Sequence, residues 1–174
     1  MNLIIGLGNP DKEHKNTRHN VGFMALDHLR DNFPDASNCS KFKAEIFEFH
    51  LNGKKNFLVY PQTYMNNSGQ SVREIMDFYK LEPKDILVIH DDTDLPLGAV
   101  KFTESSGSAG HNGVNSLIEH LGTKDFKRIR VGVESREDKS LIPTEDFVLQ
   151  NFSTEELEKI PFEEIKERVL ETIK

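Results

Sequence analysis

The sequence contains a single cysteine, Cys39, among 174 residues. One thiol allows no intramolecular disulfide and no thiolate cluster, and it suits a reducing compartment. Long apolar runs are missing too. The most apolar stretches, Leu3 to Ile5 and Ile86 to Ile89, fall far short of the roughly 20 residues that span a bilayer. No basic region followed by an apolar segment resembles a secretion signal. The expectation is a soluble, cytoplasmic protein with no membrane partner. With no internal repeat and no linker, residues 1–174 are expected to form one domain, long enough to bury most of its apolar surface around a single core.

An excess of positive charge is also absent: the formal net charge is −7. Taken whole, that disfavours a nucleic-acid partner, because phosphates are met by Lys and Arg. The distribution weakens the objection. Residues 134–174 hold 12 acids and 6 bases, leaving 17 acids and 16 bases in residues 1–133. Local basic groups remain around Lys12, Lys15 and Arg18, and around Lys124, Lys127, Arg128 and Arg130; their ordinary reading is solvated surface.

Several catalytic signatures fail. Gly6-Leu7-Gly8 follows an apolar run as a dinucleotide-binding turn would, but Asp11 stands where the third glycine belongs and sets a carboxylate in the path of a pyrophosphate. No serine sits in a G-x-S-x-G turn, and Cys39 has no histidine near it in sequence, so a covalent nucleophile has little support. The seven histidines show no i, i+4 pairing of the zinc-hydrolase kind, and no metal site is expected. Asp92-Thr93-Asp94 is similar to the paired carboxylates of Mg²⁺-dependent phosphohydrolases, an alternative function, but Pro96 replaces the threonine expected two residues on.

What is present reads as strands interspersed with helices. Residues 3–7 form a buried strand, and Val21 to Phe33 a helix with Val21, Ala25, Leu29 and Phe33 at mostly helical spacing. Ala44 to His50 and Asn56 to Tyr60 are strands joined at Asn52-Gly53, which supplies the positive φ of a tight hairpin. Asn67 or Ser68 caps a helix presenting Val72, Ile75, Met76 and Tyr79, and Pro83 keeps it from continuing far. Ile86 to Ile89 is a buried strand ending in His90-Asp91-Asp92-Thr93-Asp94, and Val100 to Phe102 an edge strand. A flexible loop, Ser105 to Gly110, then opens a helix at about Asn112, and Arg128 to Val133 alternates as a half-buried strand. From Ser153, with Glu156 three residues on, an amphipathic helix begins, breaks at Pro161 and resumes to Ile173. The fold class is α/β: a sandwich with a central mixed, partly parallel, twisted sheet flanked by helices.

Active sites of such folds gather beyond the carboxyl ends of strands. The segments at or near those places contain Asn9, His19, Asn66, Asn67, Asp91 and Asn112. A histidine held by a carboxylate activates water near pH 7, and asparagine donates to an oxyanion without ionising. Together they describe hydrolysis of an acyl compound by water. Taken singly, each residue is more often a cap or a turn residue.

GLGNP, NTRHNVG, TYMNNSG, IHDDTDLPLG, GSAGHNG and FKRIRVGV, in this order and at these spacings, resemble the bacterial peptidyl-tRNA hydrolases, from about Leu3 to Phe152. The resemblance implies a monomeric, metal-independent, cofactor-free esterase that frees tRNA from peptidyl-tRNA released prematurely by ribosomes. It further implies that His19 is the general base, that Asp91 orients it, and that Asn9 positions the ester and stabilises its oxyanion. Asn66 and Asn112 would hold the substrate, with Met65 and Tyr64 as apolar walls and His14 and His111 beside them. Arg130 and the Gly110 loop would meet the acceptor stem. A second basic position falls on uncharged Thr103, for which Lys101 is the substitute on the same strand face. Departures from the family pattern are His14, where tyrosine is common, Asp11, and the segment Glu134-Ser135-Arg136-Glu137. By the same resemblance, Gly6 and Gly8 become a tight turn presenting Asn9, and the short acidic final helix a reduced cover on the tRNA side.

Overall fold

The computed structural model describes residues 1–174. In chain order its elements are β1 (Asn2–Gly6), α1 (Val21–Arg30), β2 (Ser37–Lys41), β3 (Ala44–Leu51), β4 (Lys54–Pro61), α2 (Ser68–Tyr79) and β5 (Ile86–Pro96). There follow β6 (Val100–Glu104), α3 (Asn112–Leu121), β7 (Lys127–Glu134), α4 (Thr144–Phe147), α5 (Thr154–Glu158) and α6 (Phe162–Thr172). All seven strands join one mixed sheet in the order β2-β3-β4-β1-β5-β7-β6. The four consecutive strands β4, β1, β5 and β7 run parallel to one another, while the pairings β2–β3 and β3–β4 on one side and β7–β6 on the other are antiparallel.

A central parallel strand is covered on both faces and needs apolar residues throughout. β1 shows this: Leu3 and Ile5 point into one core with α2 and α3, and Ile4 into the other with α1 and α6. The contact of α1 with the sheet is close enough to dictate glycine. A Cβ on Gly22 would stand 2.4 Å from the Ile89 carbonyl oxygen, and one on Gly6 2.6 Å from that of Gly22. Gly6 and Gly8 have ordinary negative φ, so they serve the approach of α1 and not a left-handed turn.

The Asn52-Gly53 hairpin is present, with φ of 52° and 74° and Leu51 paired to Lys54, the two-residue turn whose twist matches the strands. The Ser153–Glu156 capping box is also present. Four expectations need correction. α1 stops at Arg30, since Pro34 denies helical geometry to Phe33 before it. Neither Asn67 nor Ser68 caps α2 with its side chain; the Ser68 hydroxyl donates to the Met65 carbonyl at 2.9 Å. His90 to Asp94 do not follow β5 but belong to it, because the backbone keeps pairing with β7 through Asp92 and Gly132 before the register shifts. Arg128, expected to be solvated, is 2 % exposed. β2, exposed throughout and carrying Cys39, had no signal in the sequence.

Candidate active site

A cleft of about 900 Å³ opens at the carboxyl ends of β1 and β4 and along the polar half of β5, near the top of the range for small-ligand pockets. It gathers six of the expected residues from distant parts of the chain: Asn9, His19, Met65, Asn66, Asp91 and Asn112. His14, Tyr64, Gly110, His111 and Arg130 line it as well. Lys101 is not in its wall; it lies exposed on β6, paired across the strands with Arg130. Thr103 pairs with Arg128, and its hydroxyl is buried without a partner.

His19 and Asp91, 72 residues apart, meet at the base. His19 Nδ1 lies 3.0 and 2.9 Å from the two Asp91 carboxylate oxygens. An ionised carboxylate only accepts, so Nδ1 carries the proton and Nε2 keeps the lone pair. His111 fixes the other side of Asp91. Its Nδ1 accepts from the backbone N–H groups of Gly113 and Val114, capping α3, so its Nε2–H donates to Asp91 Oδ1 at 2.7 Å. Both ring nitrogens of His111 are thus spent within the protein.

Burial opposes charge on both members of the His19–Asp91 pair, yet the pair overrides it. Burial pushes His19 down, but the Asp91 charge and hydrogen bond outweigh it and hold the imidazole above its ordinary value. Burial pushes Asp91 up, and the two histidines hold it well below the usual carboxylate range. His90, behind them, is kept neutral by burial and by His111.

The ligand-type atoms of His19, Asp91 and His111 lie within 4.8 Å of one another, close enough to surround a cation. Their lone pairs are committed otherwise. His19 Nδ1 and His111 Nε2 both carry protons toward Asp91, so a cation there would have to displace both. Asp92, the carboxylate of the phosphohydrolase alternative, is similarly spent: Oδ2 accepts from Arg130 Nε at 2.6 Å and Oδ1 from the Asp94 N–H at 2.7 Å.

Asn9 is set by a backbone frame. Asn20, not singled out in the sequence, accepts from the Asn9 N–H and donates to its carbonyl, both at 2.9 Å. The Asn9 side-chain oxygen accepts from the Met65 N–H at 2.9 Å, which leaves its NH₂ as the free donor group. The same bond anchors the turn at Tyr64, a non-glycine residue at φ 59°, a conformation costing on the order of 1–3 kcal/mol. Tyr64 is half exposed at the rim, whereas Met65 is buried. Asn66 and Asn112 present exposed amides, and His14 is held by Asp11, which accepts at 2.5 Å from its ring and 3.0 Å from its backbone N–H.

The third wall comes from α4 and the segment after it, through Thr144, Glu145, Val148 and Leu149. This wall is tied to the histidine segment: the His19 N–H donates to the Val148 carbonyl at 2.8 Å and the Arg18 N–H to that of Gln150 at 3.1 Å. The Arg18 guanidinium lies 4.0 Å above the Phe147 ring and grips Glu156. The acidic α6 packs on α1 instead, so the cover at the cleft is α4 and not the final helix.

A family model described as "Peptidyl-tRNA hydrolase" matches residues 3–174. The peptidyl-tRNA hydrolase of Brevibacillus brevis is 48 % identical over 156 residues, 90 % of this chain and 82 % of that protein. That of Bacillus cereus strain Q1 is 45 % identical over 157 residues, 90 % and 83 % of the two chains. Among solved structures, a peptidyl-tRNA hydrolase complexed with N-propanol superimposes with a TM-score of 0.89 at 31 % identity, covering 99 % of this chain and 88 % of its own. The Acinetobacter baumannii peptidyl-tRNA hydrolase gives 0.85 at 32 % identity, covering 99 % and 86 %.

Proposed function

The chain belongs to the peptidyl-tRNA hydrolase family, and from that premise we propose that it cleaves the ester between a peptide, or an N-blocked amino acid, and the 3′-terminal ribose of tRNA. His19 Nε2 removes a proton from water, whose oxygen attacks the ester carbonyl carbon. Asp91 holds the Nδ1–H tautomer and stabilises the imidazolium so formed. The Asn9 NH₂ donates to the oxyanion, a role suited to a neutral, fixed donor. As the tetrahedral intermediate collapses, the C–O bond to the ribose breaks and the imidazolium returns its proton to the leaving oxygen, giving free tRNA and a peptide carboxylic acid that ionises.

Asn66 and Asn112 pair with the peptide backbone, which neutral amides recognise whatever the side chains. Met65, Tyr64, His14 and His111 shape the cleft around it. Arg130, with Lys101 and the Gly110 loop, meets the acceptor stem through positional, sequence-independent contacts. The protein acts as a cytoplasmic monomer, its 174 residues one domain around one sheet, and recycles tRNA from prematurely released peptidyl-tRNA without a metal.

The observation that carries this reading is the His19–Asp91 pair at 2.9 Å on the wall of a cleft lined with amide donors. Hydrolysis of N-acetyl-aminoacyl-tRNA in excess EDTA tests it. Turnover is expected to persist in EDTA and to fall by roughly 10²–10⁴-fold in His19→Ala, with tRNA binding retained. Full activity of His19→Ala would refute the assigned base, and loss of wild-type turnover in EDTA would refute metal independence.

A further inference from the structure

One buried charge is left over from this scheme. Arg128 on β7 is 2 % exposed, yet its guanidinium makes no ion pair with a carboxylate. A buried cation without a counter-ion is expensive and is retained only where other groups hold it in place. Those groups are oxygens of one loop. Nη2 donates to the Ser106 carbonyl at 2.7 Å, to the Gly107 carbonyl at 2.9 Å and to the Ser106 hydroxyl. Nε is buried with no partner.

This loop needs holding. Between β6 and α3 the backbone takes positive φ at Ser105 (54°), Ala109 (48°) and Gly110 (82°), two of the three at residues that disfavour it. It delivers His111, the donor to Asp91, and Asn112. A second route joins the same groups. His90 Nδ1 faces the Asp91 carbonyl at 2.7 Å and must carry its proton there, so its Nε2 lone pair faces Arg128 Nη1 at 3.5 Å. The His90 ring in turn packs edge-on against that of His111, centroids 4.8 Å apart.

We infer that Arg128 is a positioning residue for the reaction: its buried guanidinium pins the Ser105–Gly110 loop, so that His111 stays hydrogen-bonded to Asp91 and Asn112 stays on the cleft wall. Arginine meets the loop with Nη2 and His90 with Nη1 at the same time, which a single ammonium cannot do, and this distinguishes it from lysine here. The inference rests on the His19–Asp91 reading above. If the loop slackens, Asp91 loses one of its two histidine donors, its charge acts more fully on His19, and the imidazole holds its proton to higher pH.

The test measures kcat and KM for N-acetyl-aminoacyl-tRNA against pH in wild type, Arg128→Lys, Arg128→Met, His111→Leu and the double variant Arg128→Lys/His111→Leu. We expect kcat/KM to fall roughly 10–100-fold in Arg128→Lys, the scale of a misplaced supporting group. The acid limb of kcat is expected to move to higher pH in Arg128→Lys and His111→Leu alike, with no further movement in the double variant. Arg128→Lys keeps the charge and most of the volume, so it decides the matter if Arg128→Met does not fold. An unmoved acid limb with only a lower melting temperature would make Arg128 a structural residue and overturn the inference. A flatter salt dependence of KM with the limb unmoved would make it a phosphate contact and overturn it equally. A wild type with no acid limb would instead count against His19 as the base.

Discussion

Replacing Asp91 by asparagine tests the chemistry of the pair more sharply than deleting either member. The carboxylate serves two donors at once: Oδ1 receives His111 Nε2–H at 2.7 Å and lies 3.0 Å from His19 Nδ1, while Oδ2 lies 2.9 Å from the same nitrogen. Asparagine fills the same space with one acceptor. The proton on His111 Nε2 is locked by its capping bonds to Gly113 and Val114, so the amide oxygen must face His111. The amide NH₂ then points at His19 Nδ1, a donor against a donor. His19 relieves this by moving its proton to Nε2, which removes the lone pair meant for water.

The expected outcome of Asp91→Asn is therefore a kcat lower by roughly 10²–10⁴-fold, the span for losing a competent general base, with KM little changed. The sign of the pH effect follows from the opposing influences on His19. Burial lowers its pKa and Asp91 raises it, with a net rise; without the anion, burial acts unopposed and the residual activity's acid limb must move to lower pH. Single-turnover hydrolysis of N-acetyl-aminoacyl-tRNA across roughly pH 5–9 reads both quantities, since an ordinary histidine titrates inside that window. Activity within about threefold of wild type together with an unmoved limb would refute both the tautomer argument and the electrostatic one, because nothing else in the pair distinguishes the two side chains.

Arg130→Ala should raise KM and flatten its dependence on salt by about one counterion, checked by kcat/KM at increasing KCl; an unchanged slope would remove Arg130 from the phosphate contacts. Gly69→Ala should lower the melting temperature by roughly 2–12 °C, read by differential scanning calorimetry, because the new Cβ would sit 2.2 Å from the Ser116 carbonyl oxygen between α2 and α3. Arg18→Met should remove the cation from Glu156, to which the Ser135 hydroxyl and the Ser153 N–H still donate, and loosen the wall that receives the His19 N–H, lowering the melting temperature by roughly 2–8 °C and kcat with it. Stability should also fall on acidification. The folded-state pKa of Asp91 is depressed, so its contribution is complete above the ordinary 3.8 and disappears as pH drops through the folded value, a trend that urea melts below pH 4 should follow and that Asp91→Asn should weaken.

The parts of the fold that were legible in sequence are those whose cause is local. The apolar runs of β1 and the first half of β5, the Asn52-Gly53 turn and the Ser153–Glu156 box each carry their reason within a few residues. β2 does not: Ser37-Asn38-Cys39-Ser40-Lys41 has no apolar residue to announce a strand and exists because the free edge of β3 pairs with it. The polar half of β5 lies beyond the strand that the apolar run Ile86 to Ile89 predicts for a related reason, since backbone pairing with β7 is indifferent to the His-Asp-Asp side chains the strand displays. For the cleft, His19, Asp91 and the asparagines stand out as polar residues at or near strand ends, and the motif resemblance assigns their roles, because no periodicity links positions 72 residues apart. Asn20, His90 and Arg128 escaped because a buried polar network leaves no compositional trace. The nearest signal was two arginines two apart on a strand whose other residues are mostly apolar, which placed both on one face without saying that the face was covered.

Net charge misleads in this protein because most of the acids that dominate it stand apart from the cleft; of the four that line it, Asp91 and Asp92 are engaged by histidine and arginine, and only Asp94 and Glu145 stand exposed. α5 and α6 carry much of the C-terminal excess, none of their residues lines the cleft, and α6 turns Ile165 and Val169 onto α1. At physiological ionic strength, charges separated by more than about 8 Å of solvent are largely screened, so these acids oppose an approaching polyanion only weakly. Inside the cleft, Asp91 is matched by two histidine donors, and Asp92 by Arg130 and a backbone N–H. The Arg130–Asp92 contact uses only Nε of the guanidinium, which holds the plane of the fork while leaving its two NH₂ groups available to an oxyanion. The Asp92 carboxylate offsets part of the guanidinium's pull on an anion. By taking the inner nitrogen, the carboxylate fixes the direction in which the outer ones point.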